Sequence, residues 1–157
     1  FSSLEDLMAS NSNRFDLVSL SHVLEHLSDP LLTLRTIREQ LLTENGYLLI
    51  EVPNFYAHDS YELAHLTCFT PHTLQETIRQ AGYDLVSLKR HGVPRSAVLN
   101  LYLTALARPL PAPVSVPSVR PERWVAEKRK AGLLYRRLAQ NLFPRKAWLP
   151  LPDQSRA

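Results

Sequence analysis

Short apolar runs alternate with helix-like segments along residues 15–107, and this alternation constrains the fold more than any other feature of the sequence. The runs are FDLVSLS (15–21), YLLIEV (47–52), YDLVSLKR (83–90) and AVLNLYLTALA (97–107). Their shortness and the polar turn residues around them favour buried strands over helices. Strands separated by helices build a mostly parallel sheet, so the pattern predicts an α/β fold.

Two helices are predicted between the first three runs. Each begins at a capping residue followed by proline, Asp29-Pro30 and Thr70-Pro71, because the side-chain oxygen caps the first turn and proline loses no hydrogen bond there. The apolar stripes comprise Leu31, Leu34, Ile37 and Leu41 in the first helix and Leu74, Ile78 and Ala81 in the second. Gly46 and Gly82 are the predicted helix ends. A weaker helix is predicted over residues 3–12.

The connections indicate how the strands pair. Residues 91–96 form only a short turn, so the last strand is predicted to run antiparallel beside the third. The first three strands, which helices separate, are predicted to be parallel with right-handed crossovers. The resulting order is β-α-β-α-β-β with the last strand antiparallel. Because two helices cannot cover both faces of such a sheet, we expect it to be part of a larger one.

Charge divides the chain near Ala107. Residues 1–107 contain 7 Lys/Arg and 12 Asp/Glu, whereas residues 108–157 contain 11 Lys/Arg and 3 Asp/Glu. Five prolines in RPLPAPVSVPSVRPE favour an extended linker at the junction. We therefore predict a partial domain at 1–107, a proline-rich linker at 108–122 and a basic, amphipathic helical tail at 123–157.

The tail carries apolar residues near one face of its predicted helix and basic residues elsewhere. The apolar residues are Trp124, Ala131, Leu134, Tyr135, Leu138 and Leu142. Such a helix could pack on its own domain, dock onto a partner chain or a missing N-terminal half, or lie on an anionic membrane surface. Nucleic acid is not an expected partner, because the tail lacks the aromatic stacking pattern of an RNA-binding module.

Composition excludes several classes of protein. Four glycines in scattered positions cannot form a G-x-G-x-x-G phosphate loop, and one cysteine excludes a disulfide framework or a Cys-rich metal site. No apolar run approaches the roughly 20 residues of a membrane helix. The opening FSSLEDLMAS has neither the basic nor the apolar region of a signal peptide. We expect a cytoplasmic protein.

Two long segments resemble a known family. Residues 15–54, FDLVSLSHVLEHLSDPLLTLRTIREQLLTENGYLLIEVPN, resemble the second half of class I S-adenosylmethionine-dependent methyltransferases. In that family a strand ends in a V-L-E-H-type segment, Asp-Pro opens a helix, and a later strand ends in a V-P-N-type segment. Residues 65–86, HLTCFTPHTLQETIRQAGYDLV, resemble the family's next helix and strand. Together the resemblance covers about residues 14–107.

The resemblance implies a seven-stranded Rossmann-like sheet with its reversed strand inserted near one edge. This chain would supply the last four strands. The family's first strand, its Gly-rich turn and the acidic residue that holds the cofactor ribose should precede Phe1, so we expect a fragment or one piece of a split protein. The implied function is methyl transfer from S-adenosylmethionine to a small-molecule acceptor. The alternative is a non-catalytic module that pairs with a partner chain.

The end of the first strand carries the cofactor residues that the resemblance implies. Leu20, Ser21 and His22 match positions beside the methionine part of the cofactor, and ligands of a parallel sheet lie outside the carboxyl ends of its strands. The alternative is that Ser21 and His22 only cap a helical turn.

Glu25 and His26 match a Glu-His pair with which ubiquinone-type O-methyltransferases hold a divalent cation. That pattern is E-x-x-E-H, and His22 replaces its first Glu here. Since magnesium prefers oxygen ligands, we expect no metal. Instead, Glu25 is expected to accept backbone hydrogen bonds and His26 to pack at the start of a helix. The letters H-V-L-E-H also fit the H-x-x-E-H motif of zinc hydrolases. This alternative is remote, because those enzymes need the motif within a helix and here it directly follows a strand.

The loop at residues 55–69 carries the candidate catalytic residues. Methyl transfer requires a positioned nucleophile and often a base that takes its proton. His65 is the preferred base, since histidine titrates near neutral pH, and His22, His58 and Tyr61 are further candidates. The alternative is a surface loop without a chemical role. Cys68 is predicted to be a small buried residue and not a nucleophile.

Overall fold

The computed structural model describes residues 13–60, 62–111 and 118–150. The helix predicted over residues 3–12 lies outside them. In chain order the described elements are β1 (Phe15–Ser21), α1 (Pro30–Thr36), β2 (Leu42–Pro53), α2 (Pro71–Gln80), β3 (Tyr83–His91), β4 (Tyr102–Pro109), α3 (Val125–Leu142) and α4 (Pro144–Ala147). The α/β class and all four predicted strands are confirmed.

The strands form one sheet in the order β1-β2-β4-β3. β1 and β2 pair in parallel, whereas β4 lies between β2 and β3 and runs antiparallel to both. The predicted antiparallel pairing of the last two strands is therefore confirmed, and the reversed strand is inserted next to the edge strand β3. At the other side of the sheet, β1 has no second strand partner within the described residues.

One face of the sheet is covered and the other is largely open. Alternate residues of β2 and β4, among them Leu48, Ile50 and Leu103, are fully buried beneath α1 and α2. On the opposite face Tyr47 and Val86 remain about half exposed. Because a parallel sheet is normally covered on both faces, this asymmetry agrees with the expectation of a partial sheet.

The helix starts follow the predicted local chemistry. An Asp29 carboxylate oxygen accepts a hydrogen bond from the Leu32 amide at 2.8 Å. The Thr70 hydroxyl accepts from the Thr73 amide at 3.0 Å, and the Thr73 hydroxyl accepts from the Thr70 amide at 2.8 Å, which completes a capping box. Gly82 adopts φ 86°, as predicted for the residue that ends α2.

The prediction that Gly46 ends the first helix is wrong. The helical segment closes with a wide turn over Ile37–Leu41, and β2 begins directly at Leu42. Gly46 lies within β2, where an added Cβ would be only 3.0 Å from the Phe15 carbonyl oxygen. Glycine is therefore favoured by the close contact with β1 and not by a left-handed helix end.

The fourth strand was predicted to begin at residue 97, but it begins at Tyr102. The preceding segment is held by the C-terminal part of the chain. The Ala97 amide donates to the Lys146 carbonyl at 2.9 Å, and Leu99 and Leu101 pack with Ala139 and Ala147. These contacts replace the strand pairing that the apolar run suggested.

The tail forms the predicted helix, α3, but packs through an unexpected face. Its buried residues are Arg136 and Ala139. The predicted apolar face instead points outward, since Trp124, Leu134 and Leu142 are each more than half exposed. The helix thus packs on its own domain with an arginine-containing face.

Candidate functional site at the carboxyl ends of the central strands

His22 lies directly after β1 and leaves the strand in a left-handed conformation, with φ 52°. Its amide donates to the Glu51 carbonyl at 2.9 Å. The imidazole lies between two carboxylates, with Nδ1 3.3 Å from Glu25 Oε1 and Nε2 3.5 Å from Glu51 Oε1. A positive φ is uncommon for histidine and persists where surrounding contacts hold it. Neither Ser21 nor His22 caps the following turn, whose N-cap is Val23 without a side-chain hydrogen bond.

Glu25 is the most unusual side chain of the site. It is almost fully buried, yet neither carboxylate oxygen accepts a hydrogen bond within the described residues. The predicted backbone hydrogen bonds to Glu25 are therefore wrong, because the nearby amides of His26 and Leu27 already donate to carbonyls of the same turn. Buried carboxylates rarely lack donors, so Glu25 is suited to a cationic ligand.

His26 and His65 face Glu25 from two segments of the chain. His26 Nδ1 is 2.9 Å from the Ala64 carbonyl oxygen, which can only accept, so Nδ1 carries the proton. His26 Nε2 lies 4.0 Å from Glu25 Oε1. The His65 ring meets the His26 ring edge-on, with 4.7 Å between centroids, and His65 Nε2 is 3.3 Å from Glu62 Oε2. The preferred base thus lies beside the buried carboxylate.

Ligand atoms of Glu25, His26 and His65 lie within 4.8 Å of one another. Two imidazoles and one carboxylate suit a transition metal better than magnesium, so the set does not fit the oxygen-rich pattern of the E-x-x-E-H enzymes. The absence of a metal stays a prediction. The H-x-x-E-H zinc-hydrolase interpretation does not fit, because residues 22–26 comprise a left-handed residue and one short 3₁₀ turn and no continuous helix.

Sequence reasoning missed a polar cluster on the next strands. The Thr104 hydroxyl donates to Glu51 Oε2 at 2.9 Å, and His91 Nε2 lies 2.6 Å from the same hydroxyl. The Tyr102 ring meets the ring of His22 edge-on at 5.3 Å between centroids. These residues converge because Glu51 pairs with Ser21 and Thr104, and His91 pairs with Tyr102. In the sequence, the one indication of this cluster was Glu51, which interrupts the apolar run YLLIEV.

A cavity opens between the end of β2, the following loop and α3. Its lining includes Glu25, Asn54, His65, Thr67, Cys68 and Phe69. Cys68 is exposed, so the prediction that it is buried is wrong.

Helix α3 forms the outer wall beside this cavity, which the sequence did not predict. Arg129 donates to the Phe55 carbonyl and lies over the Phe55 ring at 4.2 Å from its centroid. Arg136 donates to the Ala57 carbonyl at 2.6 Å and pairs with Asp59 at 3.0 Å. Both arginines therefore hold the loop that follows β2.

His58 lines the same cavity as His65, and Tyr61 lies outside the described residues. His58 Nε2 donates to the Leu101 carbonyl at 2.9 Å. Burial lowers the pKa of His58 below its ordinary 6.5. The hydrogen bond to the Leu101 carbonyl raises this pKa, and the charge of Arg136 lowers it, so the net shift is downward. His58 is consequently a weaker candidate base than His65.

The lowered pKa of His58 predicts a pH-dependent stability. The unfolded chain binds a proton at His58 near pH 6.5, whereas the folded chain does so only at lower pH, so the free energy of unfolding should decrease as the pH falls below about 6.5. His58→Gln keeps a donor for Leu101 and should flatten this part of the profile in urea unfolding. The two proteins should match near pH 8. If the free energy of unfolding of His58→Gln falls with pH as steeply as that of the unchanged protein, His58 is not the group responsible for the pH dependence.

None of the helices within the described ranges is both long and apolar enough to span a membrane.

Comparison with known proteins agrees with the arrangement of the strands. The family described as a methyltransferase domain matches residues 3–88, more than half of the chain. No curated protein matches the sequence.

Two solved structures illustrate the likeness. One is the 1,6-didemethyltoxoflavin-N1-methyltransferase of Burkholderia thailandensis, solved with 1,6-didemethyltoxoflavin and S-adenosylhomocysteine bound. It is 25% identical to this chain with a TM-score of 0.51, and the match covers 64% of this chain and 46% of that chain. A Haloferax volcanii methyltransferase, solved in complex with the Trm112 methyltransferase activator, is 13% identical with a TM-score of 0.52, over 64% and 57% of the two chains. This second likeness concerns the fold alone.

The chain spans about half the length of these solved structures. The reversed strand lies next to the edge of the sheet. The family match extends over β1, α1, β2, α2 and most of β3. The chain belongs to the class I S-adenosylmethionine-dependent methyltransferases.

Proposed function

We propose that this chain forms the acceptor side of an enzyme that transfers a methyl group from S-adenosylmethionine to a small molecule. The observation that carries the proposal is the convergence of His22, Glu25 and His65 at the carboxyl ends of β1 and β2. Ligands of parallel α/β sheets bind at this edge. Chemistry at a small acceptor fits a cavity lined by a histidine and a buried carboxylate.

The cofactor would contact Leu20, Ser21 and His22, and it supplies an electrophilic methyl group when bound. The chain offers a suitable environment for it. Two carboxylates, Glu25 and Glu51, flank His22, and the Glu25 oxygens have no hydrogen-bond donor within the described residues. Such carboxylates complement a positively charged ligand, and the cofactor carries both a sulfonium and an ammonium group.

His65 is the proposed base. Its side chain is mostly buried at the cavity, and Glu62 lies close enough to orient the ring. A base must be within hydrogen-bond reach of the acceptor atom whose proton it removes, and His65 lies on the cavity wall where an acceptor would bind. His22, His58 and Tyr61 remain alternatives for this role.

The rest of the fold would come from polypeptide outside these residues, either in the same chain or in a partner. β1 presents a strand edge that no described strand covers. An uncovered edge is a site for strand addition. The alternative, a non-catalytic module that pairs with a partner chain through this edge, predicts the same pairing but no chemistry.

A methyl-transfer assay distinguishes these two functions. The complete protein that contains these residues is incubated with S-adenosylmethionine and a panel of small acceptors that carry hydroxyl or ring-nitrogen nucleophiles. Formation of S-adenosylhomocysteine above the acceptor-free background supports the enzyme. If the protein neither binds the cofactor nor forms S-adenosylhomocysteine with any acceptor, the non-catalytic alternative is correct.

A further inference from the structure

The outward face of α3 carries an apolar stripe. Leu134, Leu138 and Leu142, here called the leucine stripe, follow one another at intervals of four residues and are 59%, 49% and 67% exposed. They lie on the side of the helix opposite the buried Arg136. Contiguous exposed apolar surfaces are typical of interaction sites.

Contacts on the inward face fix this orientation. Arg136 pairs with Asp59, and Lys128 pairs with Glu122 at 2.9 Å. At Gly132 the helix approaches so closely that an added Cβ would be 2.1 Å from the Tyr56 carbonyl oxygen. Rotation of the helix to bury the leucine stripe would break these contacts. The stripe is therefore a fixed feature of the surface.

Basic residues border the leucine stripe. Lys130 and Arg137 lie on one flank of the helix, and Arg145 and Lys146 follow at its C-terminal end. None of the four forms an ion pair with another part of the chain that the structure describes. Residues 128–150 contain no acidic side chain. Glu127 is the one acidic residue of α3, so the charged side chains around the stripe are predominantly basic.

Two large aromatic residues lie near the C-terminal end of the helix. Phe143 is 53% exposed, whereas Trp148 is 39% exposed and its ring lies under the Arg136 guanidinium, 5.1 Å from the centroid, on the side away from the stripe. Leucine, phenylalanine and tryptophan beside lysine and arginine are typical of helices that lie in the plane of a lipid headgroup layer. Each basic residue near such a surface is attracted to anionic lipids.

We propose that α3 docks on an anionic lipid bilayer through the leucine stripe. Charge complementarity favours a bilayer over a second copy of the chain. A second copy would bring two sets of lysines and arginines together, whereas anionic headgroups would neutralise them. The docking leaves the cavity-facing side of α3 in place. The inference rests on α3 alone and does not depend on methyl transfer.

Vesicle flotation of the full 157-residue chain tests the proposal. The chain should float with phosphatidylcholine vesicles that contain roughly one third phosphatidylglycerol and not with pure phosphatidylcholine. The double variant Leu134→Glu/Leu138→Glu should reduce the bound fraction by about tenfold. Leu32→Glu, a matched change at a leucine of α1 with the same 59% exposure, should have no effect. Circular dichroism checks that each variant is folded.

A second variant tests the charge contribution. Lys130→Glu/Arg137→Glu should also lower binding, and high salt should weaken binding of the unchanged protein, because both act on the electrostatic attraction. Absence of flotation with anionic vesicles would overturn the proposal, as would binding that the leucine variant leaves intact. A dimer in sedimentation that the leucine variant dissociates, without vesicle binding, would assign the stripe to a second copy instead.

Discussion

Replacement of His65 by alanine should lower the rate of methyl transfer by about 10² to 10⁴-fold, the usual contribution of a general base. His65 is expected to take the proton of the acceptor nucleophile, and its ring lies beside Glu62 and His26 at the cavity. The affinity for S-adenosylhomocysteine should stay unchanged, because the cofactor is proposed to contact residues 20–22. The measurement is S-adenosylhomocysteine release with the acceptor that turns over best.

Two controls separate a base from a structural residue. Added imidazole should restore part of the rate of His65→Ala, as a diffusible base can replace a missing one. His72→Ala, which changes a partly exposed histidine of α2 outside the cavity lining, should keep the rate within about twofold. A His65→Ala enzyme with a normal rate would contradict the assignment. Loss of activity with a chelator and its recovery with zinc would instead assign Glu25, His26 and His65 to a metal.

Replacement of Gly132 by alanine should destabilise the packing of α3 by about 1–3 kcal/mol, the usual cost of overpacking. Helix propensity alone predicts the opposite, a gain of about 1 kcal/mol. The added Cβ would lie 2.1 Å from the Tyr56 carbonyl oxygen, so the helix or the loop after β2 must move. Amide exchange across residues 125–142 and urea unfolding measure the effect.

Asn141→Ala provides a matched control, because Asn141 is an exposed residue of the same helix. This change should leave the stability unaltered or raise it slightly. If Gly132→Ala is as stable as the unchanged protein and its α3 amides exchange no faster, then α3 does not pack against Tyr56 as the structure indicates.

Local signals predicted most of the fold. Asp29 and Thr70 each act within a few residues of the helix that they cap, so the sequence was sufficient to place both helix starts. The role of Gly46 was misinterpreted, because glycine is favoured at this position by a close contact with Phe15, a residue of another strand. The late start of β4 likewise depends on Lys146, which is remote in sequence.

The candidate site was only partly predictable. His22 and Glu25 are three residues apart and could be identified from a short motif. Glu51, Thr104 and His91 meet through strand register, which the sequence did not fix. The inward position of Arg136 depends on Asp59 and the Ala57 carbonyl, the latter 79 residues away, so the amphipathic pattern alone suggested the wrong buried face.

The most direct test of the central claim is an NMR titration of the isotope-labelled chain with S-adenosylhomocysteine. Shifts are detectable even when binding is only about millimolar, which corresponds to about 4 kcal/mol. We expect the largest amide shifts at Leu20, Ser21 and His22, and smaller ones at Glu25 and Glu51. Shifts confined to α3, or none at the solubility limit of the ligand, would contradict a cofactor site at the carboxyl end of β1.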